Sequence, residues 1–163
     1  MATRSVIEVI DKNGETKICQ FGLNDGQFRL GLKLLGLFRD KSFVDKLELQ
    51  LSKTKFIQQK DVKNKNKKMY CGGIDTNVKA KLLENIVNSK ESEIHLIKDD
   101  LTDYEYHYVL NYKNNSFSVN YFGDGETYEQ LTLSMSIISL PTNEEFLSAL
   151  PKKYSYWFLI KVC

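Results

Sequence analysis

The chain alternates tyrosine with polar residues along the stretch Tyr104-Glu105-Tyr106-His107-Tyr108-Val109-Leu110-Asn111-Tyr112. This period of two is typical of a β-strand. A partner strand is predicted in Ser116-Phe117-Ser118-Val119-Asn120-Tyr121-Phe122, and Lys113-Asn114-Asn115 supplies the turn between the two strands. We therefore expect a β-hairpin over 104–122.

Tyr104, Tyr106, Tyr108 and Tyr112 of the first strand share one parity, so they lie on one face of the predicted sheet. A helix packed on that face would make it part of the core. If the face is open, its tyrosines and the neighbouring carboxylates form an acidic, aromatic surface for a protein partner. The residues of that candidate surface are Tyr104, Tyr106, Tyr108, Asp103 and Glu105.

Other β-rich runs lie on both sides of this hairpin. The segments 4–11 and 15–21 flank Asn13-Gly14, which predicts an N-terminal hairpin. Residues 93–97 read as a short strand, and residues 130–137 alternate apolar and small polar side chains. A final strand is expected over 154–162 because that segment is aromatic and β-branched.

Helices are indicated by apolar residues at steps of three and four. The first stripe runs from Phe28 to Phe38 after a cap at Asn24 or Asp25, and a second runs from Ser42, its expected N-cap, to Leu51. A third follows Asp75, and a short helix begins at Thr142 or Asn143. The prediction is one α+β domain over residues 1–163, in which two to four helices pack on an antiparallel sheet made of the N-terminal hairpin and a C-terminal meander.

The composition is that of a folded globular domain. The 163 residues are 42% hydrophobic and 27% charged, and the formal net charge is only +2. Three separated cysteines do not form a disulfide framework, and no apolar run has the length of a secretory signal or a membrane span. We expect a cytoplasmic protein with no membrane contact.

Charge is divided unevenly along the chain. Residues 1–68 hold 15 basic and 8 acidic side chains, whereas residues 69–163 hold 8 and 13. Seven lysines fall within 53–68, which we expect to be a mobile surface loop. The loop either solubilises the protein or binds phosphates of a nucleotide or nucleic acid, with poor sequence specificity, through Lys63, Lys65, Lys67, Lys68 and Tyr70.

Catalytic motifs are absent from the sequence, so we expect no enzymatic activity, no metal and no cofactor. His95 and His107 are expected to be ordinary sheet histidines, and Cys71 lacks a histidine partner nearby. Asp11 and Glu15-x-Lys17 resemble the arrangement of acidic residues and a lysine in metal-dependent nucleases. An exposed hairpin face is the simpler explanation for these residues. A solvated turn likewise explains the acidic cluster Asp99, Asp100, Asp103 and Glu105 better than a bound cation does.

The start of the chain resembles a group of small uncharacterised phage and bacterial proteins that begin M-x-T-R-S-x-I. The matching residues are Met1-Ala2-Thr3-Arg4-Ser5-Val6-Ile7, Asp11, Gly14, Cys19-Gln20, Asp25-Gly26 and Leu34-Leu35. The likeness covers about the first 40 residues, and it departs at 20–24, where the group has histidine and aromatic residues. The group has no agreed activity, so no site residue is carried over.

What the resemblance implies is a phage or mobile-element accessory protein. Together with the lack of catalytic motifs, it predicts an inhibitor of a bacterial antiviral defence, such as an anti-CRISPR protein, that binds a host or phage-encoded protein or a nucleotide. A toxin-neutralising immunity protein and a small metal-dependent nuclease remain the alternatives.

Overall fold

A computed structural model describes residues 4–23, 29–57, 76–97, 104–122 and 131–150. These residues form a five-stranded sheet, a separate two-stranded sheet and four α-helices, which confirms the α+β prediction. The strands are β1 (Arg4–Ile10), β2 (Thr16–Leu23), β3 (Thr54–Ile57), β4 (Ile94–Ile97), β5 (Tyr106–Asn111), β6 (Ser116–Tyr121) and β7 (Leu131–Ser136). The helices are α1 (Arg29–Phe38), α2 (Lys41–Leu51), α3 (Thr76–Asn88) and α4 (Asn143–Ala149), and a 3-10 turn (Ile137–Ser139) follows β7.

The large sheet has the strand order β2-β1-β5-β6-β7. The β1–β2 hairpin and the β5–β6–β7 meander are antiparallel, as predicted. The two parts join through a parallel pairing of β1 with β5, in which Ile7 lies opposite Tyr108. The sheet is therefore mixed rather than antiparallel throughout. The chain between β2 and β5 is long enough to carry helices back across the sheet, which a parallel pairing requires.

Local turn chemistry explains both hairpins. Gly14 has a φ of 84°, a left-handed value that glycine adopts without a steric penalty, and the Asp11 carboxylate accepts hydrogen bonds from the next turn residues. In the second hairpin Asn115 has a φ of 52°, and Asn111 Oδ1 accepts a hydrogen bond from Asn114 N at 3.1 Å. Asparagine tolerates this region better than other residues with a side chain do, so both turns follow directly from the sequence.

The tyrosine face of β5 is covered and belongs to the core. Tyr106 and Tyr108 are 3% and 0% exposed, and the alternate residues of β6 are buried on the same side. Helix α1 packs against this face so closely that a Cβ on Gly31 would lie 3.1 Å from Tyr108 Cε1. The absence of a side chain at Gly31 thus lets the helix backbone approach the tyrosine ring.

The prediction of a mobile surface loop over 53–68 is wrong for the start of that segment, which forms β3. The first part of that segment forms a strand that pairs in parallel with β4, and the rest lies outside the described residues. The two-stranded sheet is tied to β2 by Gln20, whose Nε2 donates to the carbonyl oxygen of Ile97 at 2.6 Å. The lysine-rich composition concealed this strand because only Phe56 and Ile57 are apolar within it.

Buried glutamine also joins the helices. Gln50, at the end of α2, is 7% exposed. Its Nε2 donates to the carbonyl oxygens of Ile86 at 2.9 Å and Ser89 at 2.7 Å. Ile86 lies in the last turn of α3 and Ser89 directly follows the helix, where most carbonyl groups have no partner within the helix, although Ile86 O also accepts from Ser89 N at 3.2 Å. One amide side chain therefore both caps α3 and holds α2 against it.

One helix cap differs from the one expected, and another is one of the two residues expected. Asp40, and not Ser42, is the N-cap of α2, since Asp40 Oδ1 accepts from Ser42 N at 3.0 Å. Thr142 caps α4 by accepting from Glu145 N at 3.1 Å. Serine is also a preferred N-cap residue, so Ser42 at the second helical position led to the displaced prediction. Among the described helices, none is long and apolar enough to cross a membrane.

Candidate functional site

A cleft of about 360 Å³ opens between α2 and the end of the β5–β6–β7 meander. Helix α2 forms one wall, and the β5–β6 turn with the 3-10 turn after β7 forms the other. Its lining residues are Phe38, Arg39, Lys41, Val44, Asp45, Glu48, Tyr112, Asn115, Ile137 and Ile138. The volume is at the lower end of the range for small-ligand pockets and suits one or two large side chains.

The floor of the cleft is apolar and closely packed. Phe38 packs edge to face on Phe117, with ring centroids 5.1 Å apart. Tyr112 is 3% exposed, and its hydroxyl donates to the carbonyl oxygen of Val44 at 2.7 Å, which links the end of β5 to α2. Burial raises the pKa of Tyr112 above its ordinary value, and the negative charges of Glu48 and Asp45 raise it further. The hydroxyl therefore remains a hydrogen-bond donor.

The rim of the cleft carries charges of both signs in equal number. Arg39 and Lys41 are basic, and Asp45 and Glu48 are acidic. Arg39 Nε donates to the carbonyl oxygen of Pro141 at 2.8 Å, and Glu48 Oε1 forms an ion pair with Lys12 Nζ at 2.9 Å. The rim thus has no excess of positive charge with which to hold a phosphate group.

An exposed isoleucine stands at the edge of the cleft. Ile138 is 87% exposed, although its neighbour Ile137 packs against the core. An apolar side chain of this size loses contact with water only when another surface covers it, and covering it would be favourable by about 2 kcal/mol. The combination of an apolar floor, a balanced polar rim and an exposed apolar residue matches the anatomy of protein interfaces.

A polar cluster lies on the opposite face of the sheet. His107 Nε2 and Glu8 Oε1 are 3.0 Å apart, with side chains 16% and 14% exposed. The second Glu8 carboxylate oxygen accepts from Thr16, and the Tyr104 ring lies edge to face on the His107 ring at 5.5 Å. Tyr104 also contacts the ring of Phe122, which is 42% exposed.

A histidine–carboxylate pair can transfer protons when a substrate reaches the free side of the imidazole. Neither His107 nor Glu8 lines the cleft, and Tyr104 covers the imidazole ring. Within the described ranges, no group of three histidine, cysteine or carboxylate residues is placed to hold a metal ion. The pair joins β1 to β5 across the sheet.

The predicted partner-binding residues lie in different environments in the structure. Tyr106 and Tyr108 are core residues, so the alternative of an open tyrosine face does not hold for them. Tyr104 leaves the alternation and turns to the His107 side of the sheet. Glu105 is half-buried and pairs with Arg4 at 2.9 Å, and Asp103 lies outside the described residues.

The predicted ligand-binding residues Lys63, Lys65, Lys67, Lys68 and Tyr70 all lie outside the described residues. So do Cys71 and the aspartates of the predicted acidic cluster, Asp99, Asp100 and Asp103. The final strand expected over 154–162 and the caps expected at Asn24, Asp25 and Asp75 lie outside them as well.

The residues that resemble a nuclease motif form hydrogen bonds and ion pairs within their own hairpin. The Asp11 carboxylate holds the hairpin turn, and Glu15 pairs with Lys17 at 3.4 Å. Likewise, His95 has an ordinary partner in Glu93, 3.2 Å away. Glu93 also accepts a hydrogen bond from Lys55, and this bond holds the pKa of Glu93 below its usual range.

Sequence reasoning missed the cleft altogether. Its walls come from α2 and from two turns that are far apart along the chain, so no motif marks it. One signal was available: Ile137-Ile138 breaks the apolar–polar alternation of the preceding strand. A second apolar residue in that position has no place on the inner face, which indicates an exposed apolar side chain.

Comparisons with known proteins add no relative. No family model matches the chain, and no curated protein or solved structure matches it significantly.

Proposed function

We propose that this protein acts by binding and not by turnover, as an accessory protein of a phage or mobile element that inhibits a component of bacterial antiviral defence. The cleft beside α2 is the binding site, and a host or phage-encoded protein in the bacterial cytoplasm is the partner. The resemblance of residues 1–40 to phage and bacterial proteins supports the biological setting. The composition of the cleft supports the mode of action.

The cleft favours a protein partner over a nucleotide. Two basic residues and two acidic residues share its rim, and Glu48 is already paired with Lys12. A nucleotide would bring phosphates toward the carboxylates of Asp45 and Glu48, at a cost in repulsion. A large apolar side chain from a protein would instead contact the floor, and Ile138 at the edge would enter a pocket on the partner. The exposed Ile138 is the observation that carries this proposal.

The test compares two exposed apolar residues. Ile138 is 87% exposed at the cleft, and Leu49 is 74% exposed on α2 without lining the cleft. Phage plaquing is measured on bacteria that carry a defence system inhibited by the wild-type protein. We expect Ile138→Asp to lower the restored plaquing at least about tenfold, because anchor residues contribute about 1–2 kcal/mol or more. Leu49→Asp should leave it unchanged.

Both variants should fold, since substitution of exposed residues changes stability by only about 0.5 kcal/mol. Full inhibition by Ile138→Asp would reject the cleft as the binding site, and an equal loss in both variants would show that the effect is not specific. Cleavage of DNA or RNA that requires Asp11 and Glu15 would reject the binding mode of action itself. The predicted phosphate contact of the lysine run stays a separate prediction.

A further inference from the structure

Strand β7 is an edge of the five-stranded sheet. Within the described residues it pairs only with β6. Exposure increases toward this edge: on the outer face, Val6 of β1 and Cys19 of β2 are fully buried, whereas Thr132, Ser134 and Ser136 are exposed. Among the strands that the structure describes, β7 is therefore the accessible edge on this side.

The backbone groups that face the open edge can be identified from the register. Ile137 N donates to the carbonyl oxygen of Asn115 at 2.9 Å, continuing the β6–β7 ladder by one residue. Antiparallel ladders bond at every second residue, so Met135, Leu133 and Leu131 bond to β6. The N–H and C=O groups of Thr132, Ser134 and Ser136 consequently point away from β6, toward the edge.

Strand β7 lacks the features that protect sheet edges from pairing. Its sequence, Leu-Thr-Leu-Ser-Met-Ser, contains no charge and no proline, and its register with β6 has no bulge. The opposite edge is protected: β2 carries Lys17, its pairing with β1 has an irregularity at Val9/Ile10, and Gln20 ties it to the two-stranded sheet. Among the described residues, the β2 edge is therefore covered and the β7 edge is unpaired.

We propose that a second copy of this chain pairs with β7 in antiparallel orientation about a two-fold axis, so that the two five-stranded sheets become continuous. The strand is complementary to itself. Antiparallel pairing places its leucine and methionine side chains opposite one another on the inner face and its serine and threonine side chains opposite one another on the outer face. No like charges meet, which is the usual obstacle to an isologous contact.

A groove beside the strand has room for side chains of the second copy. It measures about 330 Å³ and lies between β7 and α4, where Leu133, Met135, Pro141, Phe146 and Ala149 contribute apolar surface. The inner-face residues of β7 are only half-buried in one copy. Pairing would cover this remaining apolar area with the same residues of the second copy, adding burial to the backbone hydrogen bonds.

The proposal is tested by measuring the mass of the full chain in solution between about 5 μM and about 500 μM, because a contact this small predicts a dissociation constant in the micromolar range. Sedimentation equilibrium of the wild-type protein should show a reversible monomer–dimer equilibrium. Ser134→Pro removes a backbone N–H that points to the edge and breaks no bond to β6. Ser134→Lys keeps that N–H but places two positive charges near the two-fold axis. Each should weaken dimerisation at least tenfold.

Ser118→Lys is the matched control. Ser118 lies on β6 directly opposite Ser134 and on the same outer face, with the two hydroxyl oxygens 3.4 Å apart. In a dimer the two Ser118 positions would be about 14 Å apart, beyond the screening length of about 8 Å at physiological salt. Dimerisation should survive in this variant. A monomeric wild type at every concentration, or a dimer that both Ser134 variants retain, would overturn the proposal.

Discussion

Replacement of Gln50 by methionine is expected to lower the free energy of unfolding by about 2 kcal/mol. The Gln50 amide nitrogen has two hydrogens, and both are used: Nε2 lies 2.9 Å from Ile86 O and 2.7 Å from Ser89 O. Each bond contributes about 0.5–1.5 kcal/mol net, so the pair contributes about 2 kcal/mol. Methionine preserves the length and packing of the side chain but donates no hydrogen bond.

Urea denaturation followed by circular dichroism measures this loss directly. A change of about 2 kcal/mol should also lower the melting temperature by about 4–8 °C in a chain of this size. Leu49→Met is the matched control, because the neighbouring Leu49 is 74% exposed and should change stability by no more than about 0.5 kcal/mol.

Gln50→Glu extends the test. A carboxylate at this position would face the carbonyl oxygens at the end of α3 with no hydrogen to donate at neutral pH, so the variant should be less stable than Gln50→Met. If Gln50→Met unfolds within about 0.5 kcal/mol of the wild-type protein, capping of α3 by Gln50 does not stabilise the fold and the reasoning fails.

Two further predictions concern titratable groups. Tyr112→Phe should lower the free energy of unfolding by about 1 kcal/mol, because the hydrogen bond to Val44 O is lost. This difference should stay constant from about pH 6 to about pH 9, since the raised pKa of Tyr112 keeps its hydroxyl protonated. Urea titrations in which the difference disappears within that range would contradict the prediction. Because the pKa of Glu93 is held below its ordinary value of 4.5 by Lys55, their interaction stabilises the fold above that pH and is lost as the pH falls through the folded-state pKa. Melting temperatures of the wild type and Lys55→Met should therefore converge on acidification, and a difference that grows instead would be the contrary result.

Local sequence determined the hairpins and helices of this protein. Alternation over 104–122 and the residues at Gly14 and Asn115 specify strands and turns through backbone preferences that act within a few residues. The apolar stripes of α1, α2 and α3 likewise indicate one buried face each, since a helix with such a stripe must pack it against something. These signals sufficed for the α+β class.

The sequence pattern was compatible with more than one arrangement, and only the tertiary structure decided between them. Whether the tyrosine face was core or surface depended on whether α1 could approach Tyr108, which Gly31 allows. The parallel pairing of β1 with β5, the strand β3 within a lysine-rich run and the capping of α3 by Gln50 each join residues that are distant along the chain.

The candidate sites also depend on contacts between segments that are distant along the chain. The cleft combines α2 with turns from the other half of the chain, and the position of β7 at the edge of the described sheet follows from the order in which distant strands pair. Periodicity reports which face of an element is apolar, but it does not report which element covers that face. Contacts between distant segments are selected by the total burial and hydrogen bonding of the folded chain, so they leave no local pattern from which a sequence could predict them.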